Sequence, residues 1–295
     1  MTTDASSFPF LRAQIDEELD RLLPEKRSIS NTLFAGARYA VLGGGKRLRP
    51  LLTLLTVEAL GGSLEQALIP ACAIELVHTY SLVHDDLPCM DDDDYRRGRP
   101  TLHKQFGEGI AVLVGDFLLT YAFELLATTA PLSREIRAQL VEILAKKIGG
   151  DGMLGGQMMD LQAEERNMSL DELSLLHSKK TACLIIACIE FGGVLSHASS
   201  VVLNTLVGFA EKLGLAFQIW DDILDITDSY EKHGTSTSSD AAKKKCTYAS
   251  LLGLEGARAV ARQHQQQALQ LLELVPGYTK SLAALAHQMV PVMKF

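Results

Sequence analysis

Two groups of aspartates carry the strongest chemical signal in the chain: Asp221, Asp222 and Asp225 in the stretch DDILD, and Asp85 and Asp86 followed by Asp91 to Asp94. On a helix, Asp221 and Asp225 stand one turn apart on one face, with Asp222 beside them. Carboxylates with solution pKa values of about 3.9 are ionised at pH 7 and repel at that spacing, so a cation is expected between them. The flanking Phe217, Ile219, Trp220, Ile223, Leu224 and Ile226 mark a largely buried helix, where unpaired charge is rare. The other group follows an apolar helix and contains Pro88, which biases Leu87 away from helix. Negative charge there meets the negative end of a helix dipole, and bound divalent cations explain it better than solvation. The spacing does not make an EF-hand loop, and an all-oxygen ligand set favours Mg²⁺.

Basic residues accompany the acids: Lys46-Arg47-Leu48-Arg49 after three glycines, Arg96-Arg97-Gly98-Arg99 directly after the aspartates, Lys179-Lys180, and Lys243 to Lys245. Mg²⁺ held by one or two carboxylates completes its shell with water and phosphate oxygens, and arginine forks bind the same oxygens in bidentate fashion. The pairing predicts two diphosphate sites, one built on metal and one on Lys and Arg. The segment GGGKR is not a Walker loop, because the spacer and the following Ser or Thr are missing. No nucleophile-histidine-acid arrangement stands out. His78 is a candidate phosphate donor beside the first acidic group.

The elements that must position these groups read as helices throughout. Apolar residues recur with a period close to 3.6, as in Ile15-Leu19-Leu22-Leu23 and Leu140-Ile143-Leu144-Ile148. Breaks are expected at Pro24, Gly43 to Gly45, Gly61-Gly62, Pro88, Gly98 to Pro100, Pro131, Gly149 to Gly152, Gly192-Gly193, residues 232 to 239 and Pro276-Gly277, giving segments of about 10 to 25 residues. Ser169 and Asp171 read as a capped start for a segment over 172 to 179. No linker divides the chain, so one domain over residues 1–295 is expected, with a polar surface loop at His233 to Asp240.

The chain has 295 residues, 28 Lys and Arg against 36 Asp and Glu, and a formal charge of −8, which argues against a non-specific binder of nucleic acid or anionic membrane. Apolar residues at 47% supply a core and exclude disorder as the explanation. No uninterrupted apolar run reaches the roughly 18 residues of a membrane span. The first residues, MTTDASSFPF, resemble neither a secretory signal nor a transit peptide, and a cytoplasmic location is expected. Five cysteines without C-x-x-C spacing are expected to be reduced thiols.

The motifs together resemble the trans-isoprenyl diphosphate synthases, of the bacterial farnesyl diphosphate synthase type. The resemblance lies in GGGKRLRP at 43–50, HTYSLVHDDLPCMDDDDYRRGRPTLH at 78–103, GGQMMDL at 155–161, KKTA at 179–182, FQIWDDILD at 217–225 and KCTYASLLGLEGAR at 245–258, in family order over most of the chain. It implies the all-α isoprenoid synthase fold, antiparallel helices around a central apolar cavity, in a homodimer. It implies Mg²⁺, three ions per active site, on Asp85, Asp91 and Asp221, with Asp86, Asp222 and Asp225 supporting them directly or through water. Lys46, Arg49, His78 and Arg97 would hold isopentenyl diphosphate; Arg96, Lys180 and Lys245 would hold the allylic diphosphate. Gln157, Asp160, Thr181, Phe217 and Gln218 would line the reacting centre. The implied reaction ionises dimethylallyl or geranyl diphosphate, adds isopentenyl diphosphate head to tail and loses a proton to the released diphosphate, giving farnesyl diphosphate.

Tyr80 lies five residues before Asp85, about 7.5 Å down a helix rising 1.5 Å per residue, where a growing chain would meet it, with Ser81 beside it. The resemblance associates an aromatic residue there with a fifteen-carbon product, although the Pro88-Cys89 insertion is shared with geranylgeranyl diphosphate synthases. Two departures from the family pattern stand out: Thr235 follows Gly234 where a lysine is usual, and the ending MVPVMKF lacks the usual arginine. They leave open a weakly active binding or regulatory subunit. A terpene cyclase would leave Lys46, Arg49 and Arg97 without a purpose.

Overall fold

The computed structural model describes residues 8–25, 31–163, 168–233 and 246–291, and the side chains of residues 225 and 228–233 lie outside that description. The helices are α1 (Phe8–Leu22), α2 (Asn31–Val41), α3 (Leu48–Ala59), α4 (Leu64–Asp85), α5 (Leu102–Phe106), α6 (Glu108–Thr128), α7 (Arg134–Ile148), α8 (Met153–Ala163), α9 (Leu170–His177), α10 (Cys183–Leu195), α11 (Ser200–His233), α12 (Tyr248–Glu273, bent at Gly253) and α13 (Lys280–Met289). A π-helical turn, Ser178–Ala182, joins α9 to α10, and β1 (Tyr95–Arg96) pairs with β2 (Arg99–Pro100) in a minimal hairpin.

α4 occupies the middle of the packing, against α3, α6 and α10, while α10 also meets α7 and α11, and α11 lies along α12. The buried apolar residues form one contiguous cluster running from Phe8 to Val290. α4 starts at Ser63, whose hydroxyl accepts from Gln66 N–H, and it carries Pro70 in its interior. It ends because the chain folds back: Leu87 N–H donates to His84 O at 3.1 Å, and Asp91 N–H donates to Asp85 O at 2.8 Å. This turn brings Asp91 back beside the end of α4. α6 approaches α4 closely at Gly115, where a Cβ would lie 2.0 Å from His84 Nε2.

Gly192 and Gly193 do not break a helix. Both sit inside α10, and a Cβ on Gly192 would meet the Thr56 side chain at 2.4 Å, so the glycine lets α10 lie against α3. The capped start at Ser169 is real, with a reciprocal capping box to Glu172, but α9 stops at His177 and the π turn follows. At 34 residues α11 is longer than any expected segment. All five cysteines are free.

Three helices, α4, α6 and the Ser200–Leu224 part of α11, are long and apolar enough to cross a membrane by length and composition alone. The expectation from uninterrupted runs differed because a few charged residues in a long helix lower its mean hydropathy little. The α4 window is 67% buried inside the protein, against 39% for α6 and 33% for α11, so the apolarity of α4 is used by the core.

Candidate active site

A cavity of about 790 Å³ opens between α3, α4, α8, the π turn and α11. Lys46, Arg49, His78, Tyr80, Ser81, Asp85, Arg96, Arg97, Gln157, Lys180, Thr181, Phe217, Gln218 and Asp221 all line it. The structure thus gathers around one space residues that the sequence separates by well over a hundred positions.

The basic end is set by the loop 43–47. Arg47, in left-handed backbone (φ 50°), turns inward and is buried: Nη1 donates to Glu75 Oε1 at 2.9 Å, Nε to Asp16 Oδ1 at 2.8 Å and Nη2 to Val41 O at 2.7 Å. Burial works against its charge, and Glu75 and Asp16 outweigh burial and raise its pKa. Arg47 therefore anchors the loop, and Lys46 and Arg49 on either side of it line the cavity. The Arg49 Nε is buried with no hydrogen-bond partner among the described residues, and burial pulls its pKa down. An arginine stays cationic regardless, so this guanidinium is short of an anion. Arg97 donates to the Gly44 carbonyl, and a Cβ at Gly45 (φ +148°) would lie 2.9 Å from Arg97 Nη1, so glycine there admits the guanidinium. His78 is held well below the usual histidine pKa by burial and by Arg49, Arg97, Arg96 and Arg47. It is neutral at pH 7 and offers an N–H without adding charge.

At the first acidic group, Asp85 faces the cavity while Asp86 turns away. Burial pushes Asp85 up to about 6, with Asp91 adding to the rise and Lys180 and Arg96 opposing it. Asp86 is buried and takes Arg96 Nε on Oδ1 at 2.7 Å; Arg96 also reaches Asp93 at 3.5 Å. The hairpin makes this possible, since Thr101 Oγ1 donates to Asp93 O at 2.8 Å and Arg97 and Gly98 take positive φ at its turn. Arg96, expected on the allylic diphosphate, is thus already engaged by two aspartates while one edge lines the cavity.

The second acidic group repeats the division with different partners. Asp221 lines the cavity and is exposed; Asp222 is buried and accepts from Gln218 Nε2 at 3.0 Å. Gln218 Oε1 in turn accepts from Thr181 Oγ1 at 2.6 Å. Because a carboxylate only accepts, Asp222 orients the Gln218 amide with NH₂ toward itself, and the Thr181 hydroxyl must then donate to the carbonyl. What Thr181 presents to the cavity is therefore oxygen lone pairs. Lys180 pairs with Asp160 Oδ2 at 2.5 Å, which links α8 to the π turn, and Gln157 lies one turn before Asp160.

Among the described residues no three His, Cys, Asp or Glu side chains stand ready to hold a metal ion by themselves. The half-buried Asp85 carboxylate, whose ionisation is penalised by desolvation and by Asp91, together with Asp221 on the same cavity, nevertheless fits Mg²⁺, which takes one or two carboxylates and leaves its remaining positions to water and phosphate. Lys245, Thr235 and the C-terminal residues 292–295 lie outside the described residues, as does the Asp225 side chain.

Sequence reasoning named the aspartates, Lys46, Arg49 and Tyr80, placed His84 beside the first acidic group without a role, and passed over Glu75 and His177. Glu75 is 2% exposed and pairs with Arg47; an acid in the apolar run of α4 was the available signal. His84 accepts or donates at Val112 O (3.1 Å) and meets the Tyr80 ring edge-on at 5.8 Å between centroids. His177, pushed down to about 4 chiefly by burial, sits with Nε2 3.7 Å from Asp222 Oδ2.

Residues 30–282 match the family model described as Polyprenyl synthetase. The chain is 44% identical over 274 residues to a farnesyl diphosphate synthase of Bacillus subtilis, covering 92% of this chain and 93% of that protein. Among solved structures, an FPP/GFPP synthase from Zymomonas mobilis superposes with a TM-score of 0.86 at 37% identity over 97% of this chain and 98% of that one. A geranyltransferase from Helicobacter pylori, complexed with magnesium and isoprenyl diphosphate, gives a TM-score of 0.83 at 36% identity over 99% and 96%.

Proposed function

This chain belongs to the polyprenyl synthetase family and is a prenyltransferase, and from that premise we propose that it joins isopentenyl diphosphate to dimethylallyl and geranyl diphosphate to make farnesyl diphosphate. The observation that carries the reading is one cavity with the unpartnered Nε of Arg49 among basic groups at one end, a carboxylate from each acidic cluster on its wall, and Tyr80 beneath Asp85.

Arg49, Lys46, Arg97 and the neutral His78 bind one diphosphate at the basic end, Arg49 gaining the anion its buried Nε lacks. Asp85, Asp91 and Asp221, supported by Asp86, Asp222 and Asp225, hold the Mg²⁺, for which we take three ions per site. Bound Mg²⁺ supplies the charge that makes the allylic diphosphate a leaving group. Lys180 neutralises the departing diphosphate further. Thr181 aims lone pairs at the carbon that becomes positive, a preorganised dipole that costs no reorganisation at the moment of reaction. Phe217 and Gln157 complete the wall, and apolar surroundings keep water from the cation. No side chain need remove the final proton, because the released diphosphate is a base already in place.

Tyr80, 3% exposed and packed on His84, closes the space below Asp85 and favours a fifteen-carbon product. α6 exposes Val112 and Leu113, which supports a homodimer through that helix; light scattering should give twice the chain mass, and a monomer at micromolar concentration would refute it. The decisive test is incubation with Mg²⁺, isopentenyl diphosphate and dimethylallyl or geranyl diphosphate, followed by chain-length analysis. Farnesol after dephosphorylation supports the reading, a twenty-carbon alcohol moves the protein to geranylgeranyl diphosphate synthesis, and no metal-dependent product points to a binding subunit.

A further inference from the structure

Thr101 stands at the start of α5, where a threonine hydroxyl ordinarily accepts a backbone N–H of its own helix, and it makes no such capping bond. Its hydroxyl turns the other way. It donates to Asp93 O at 2.8 Å, with Asp94 O at 3.4 Å, while the Thr101 N–H donates to Asp94 O at 3.0 Å. On its other side the hydroxyl oxygen lies 3.1 Å from Nδ1 of His103, and both residues are buried. A hydroxyl has one proton, and here carbonyl oxygens take it, so the Thr101 oxygen accepts from His103. The far side of the ring agrees. His103 Nε2 is buried with no hydrogen-bond partner among the described residues, and a proton there would be a donor without an acceptor, which costs more than a bare lone pair does. Two independent observations thus place the ring proton on Nδ1.

Resting on the prenyltransferase reading, we propose that His103 is a positioning residue for the Mg²⁺ site: its Nδ1–H fixes the Thr101 hydroxyl on the Asp93 carbonyl and so holds the acidic turn over residues 91–94 in place against the end of α4. The turn is tied at both ends. Beside α4, Asp91 N–H donates to Asp85 O at 2.8 Å and Asp92 N–H to Leu87 O at 3.1 Å; at the other end Thr101 takes the carbonyls of Asp93 and Asp94. Only Asp91 and Asp92 lie between these ties, and Asp92 is held in left-handed backbone at φ 53°, which a residue with a Cβ adopts at a cost. Arg96 and Lys104 grip the same stretch through the Asp93 and Asp94 side chains, at 3.5 and 2.7 Å, but these are partly exposed pairs and worth less. Without the His103 N–H, the Thr101 hydroxyl can rotate back to cap α5, and Asp93 O loses its donor. Asp91 is then held less firmly beside Asp85, and the metal meets a looser pair of carboxylates. The basic end of the cavity, built on Lys46 and Arg49, is untouched.

The test uses the full-length protein and three substitutions. His103→Leu keeps much of the bulk and removes the N–H; His103→Asn keeps a donor where Nδ1 stood; Thr101→Val removes the hydroxyl and keeps the branch at Cβ. We expect His103→Leu and Thr101→Val each to raise the Mg²⁺ concentration for half-maximal activity by about fivefold, the worth of one neutral hydrogen bond, with kcat at saturating Mg²⁺ and KM for isopentenyl diphosphate within about twofold of wild type. The double variant His103→Leu/Thr101→Val should match either single one, because both break the same chain, and His103→Asn should return close to the wild-type Mg²⁺ requirement. The proposal is overturned by an unchanged Mg²⁺ requirement in His103→Leu, by a loss of kcat that excess Mg²⁺ does not restore, by an equal shift in His103→Asn, or by additive shifts in the double variant. Nitrogen-15 shifts of His103 in the unmodified, metal-free protein at mildly alkaline pH give a reading independent of activity. The Nδ1–H tautomer is expected, and the Nε2–H tautomer overturns the proposal even if the variants fail to fold. A wild-type protein that makes no prenyl product would refute the prenyltransferase reading, and the tautomer would still decide whether His103 donates to Thr101.

Discussion

The two acidic clusters face one cavity and are built by opposite means. At the end of α4, the aspartate behind the cavity wall, Asp86, is held by a cation, Arg96, with Asp93 sharing it and Lys104 pairing with Asp94 at 2.7 Å. On α11, the aspartate in the same role, Asp222, is held by the neutral amide of Gln218 beside a neutral imidazole. The first cluster balances its charge within a turn and a hairpin, where arginine can reach from outside. The second lies in the interior of a helix, where an amide dipole reaches the buried carboxylate. The lesson is that the aspartate behind the wall is fixed by an ion in the first cluster and by a dipole in the second, so damage to that backing should appear as lost stability in the first and as lost rate in the second.

The largest effects should come from the cavity-facing member of each cluster, where the two are alike. Asp85→Ala and Asp221→Ala should each lower kcat by roughly a thousandfold or more at saturating Mg²⁺, since each would remove a carboxylate from the proposed Mg²⁺ site. Steady-state assays with unchanged circular dichroism would check this. A loss confined to one of the pair would break the symmetry of the two clusters at the cavity wall.

The asymmetry behind the wall predicts a split. Arg96→Ala leaves Asp86, with a side chain 5% exposed, without its cation; since Arg96 is itself about one-third exposed, solvent softens the loss, and we expect about 2 kcal/mol of stability in urea unfolding. Gln218→Leu removes a neutral hydrogen bond and should cost about 1 kcal/mol of stability while lowering kcat more than Arg96→Ala does. The reverse ranking in kcat would show that both clusters act through charge. Product length belongs to the α4 side alone: Tyr80→Ala opens the space below Asp85 and should shift the main product from fifteen toward twenty carbons, read by chromatography, whereas Gln218→Leu should slow the reaction without lengthening it.

The cavity-facing half of this design was legible in the residue pattern, because charge that has no reason to be buried announces itself. Asp85, Asp221, Lys46 and Arg49 could be found that way, and the glycine loop at 43–45 placed the last two. The backing half was not. Arg47 and Arg49 look interchangeable in a run of basic residues, yet one turns inward to Glu75 and Asp16 and the other lines the cavity, a choice made by a left-handed backbone at Arg47 and by α1 packing beneath it. Gly192 and Gly193 read as a break because a glycine pair carries no sign of whether it serves a turn or a close helix contact. His177 gave no signal, since its meaning depends on α11, which meets it only through the fold.

Acid also separates the clusters, by two opposing slopes that nearly cancel in the intact protein. Asp85 rises in the fold from an ordinary value of 3.8 to about 6, so between those values the folded protein holds a proton that the unfolded chain has released, and this contribution to stability is lost as pH rises. His177 falls from 6.5 to about 4, so over nearly the same interval the unfolded chain binds a proton that the folded protein refuses, and this contribution is lost as pH falls. Each slope is about 1.4 kcal/mol per pH unit, and between pH 4 and 6 they oppose one another. In chelator-treated protein, Asp85→Asn should therefore expose a stability that falls on acidification through this range, and His177→Phe one that rises, as read from urea midpoints at half-unit intervals. Equal pH profiles for the two variants would mean that the clusters share one electrostatic environment, and the division between an ion-built and a dipole-built half would fail.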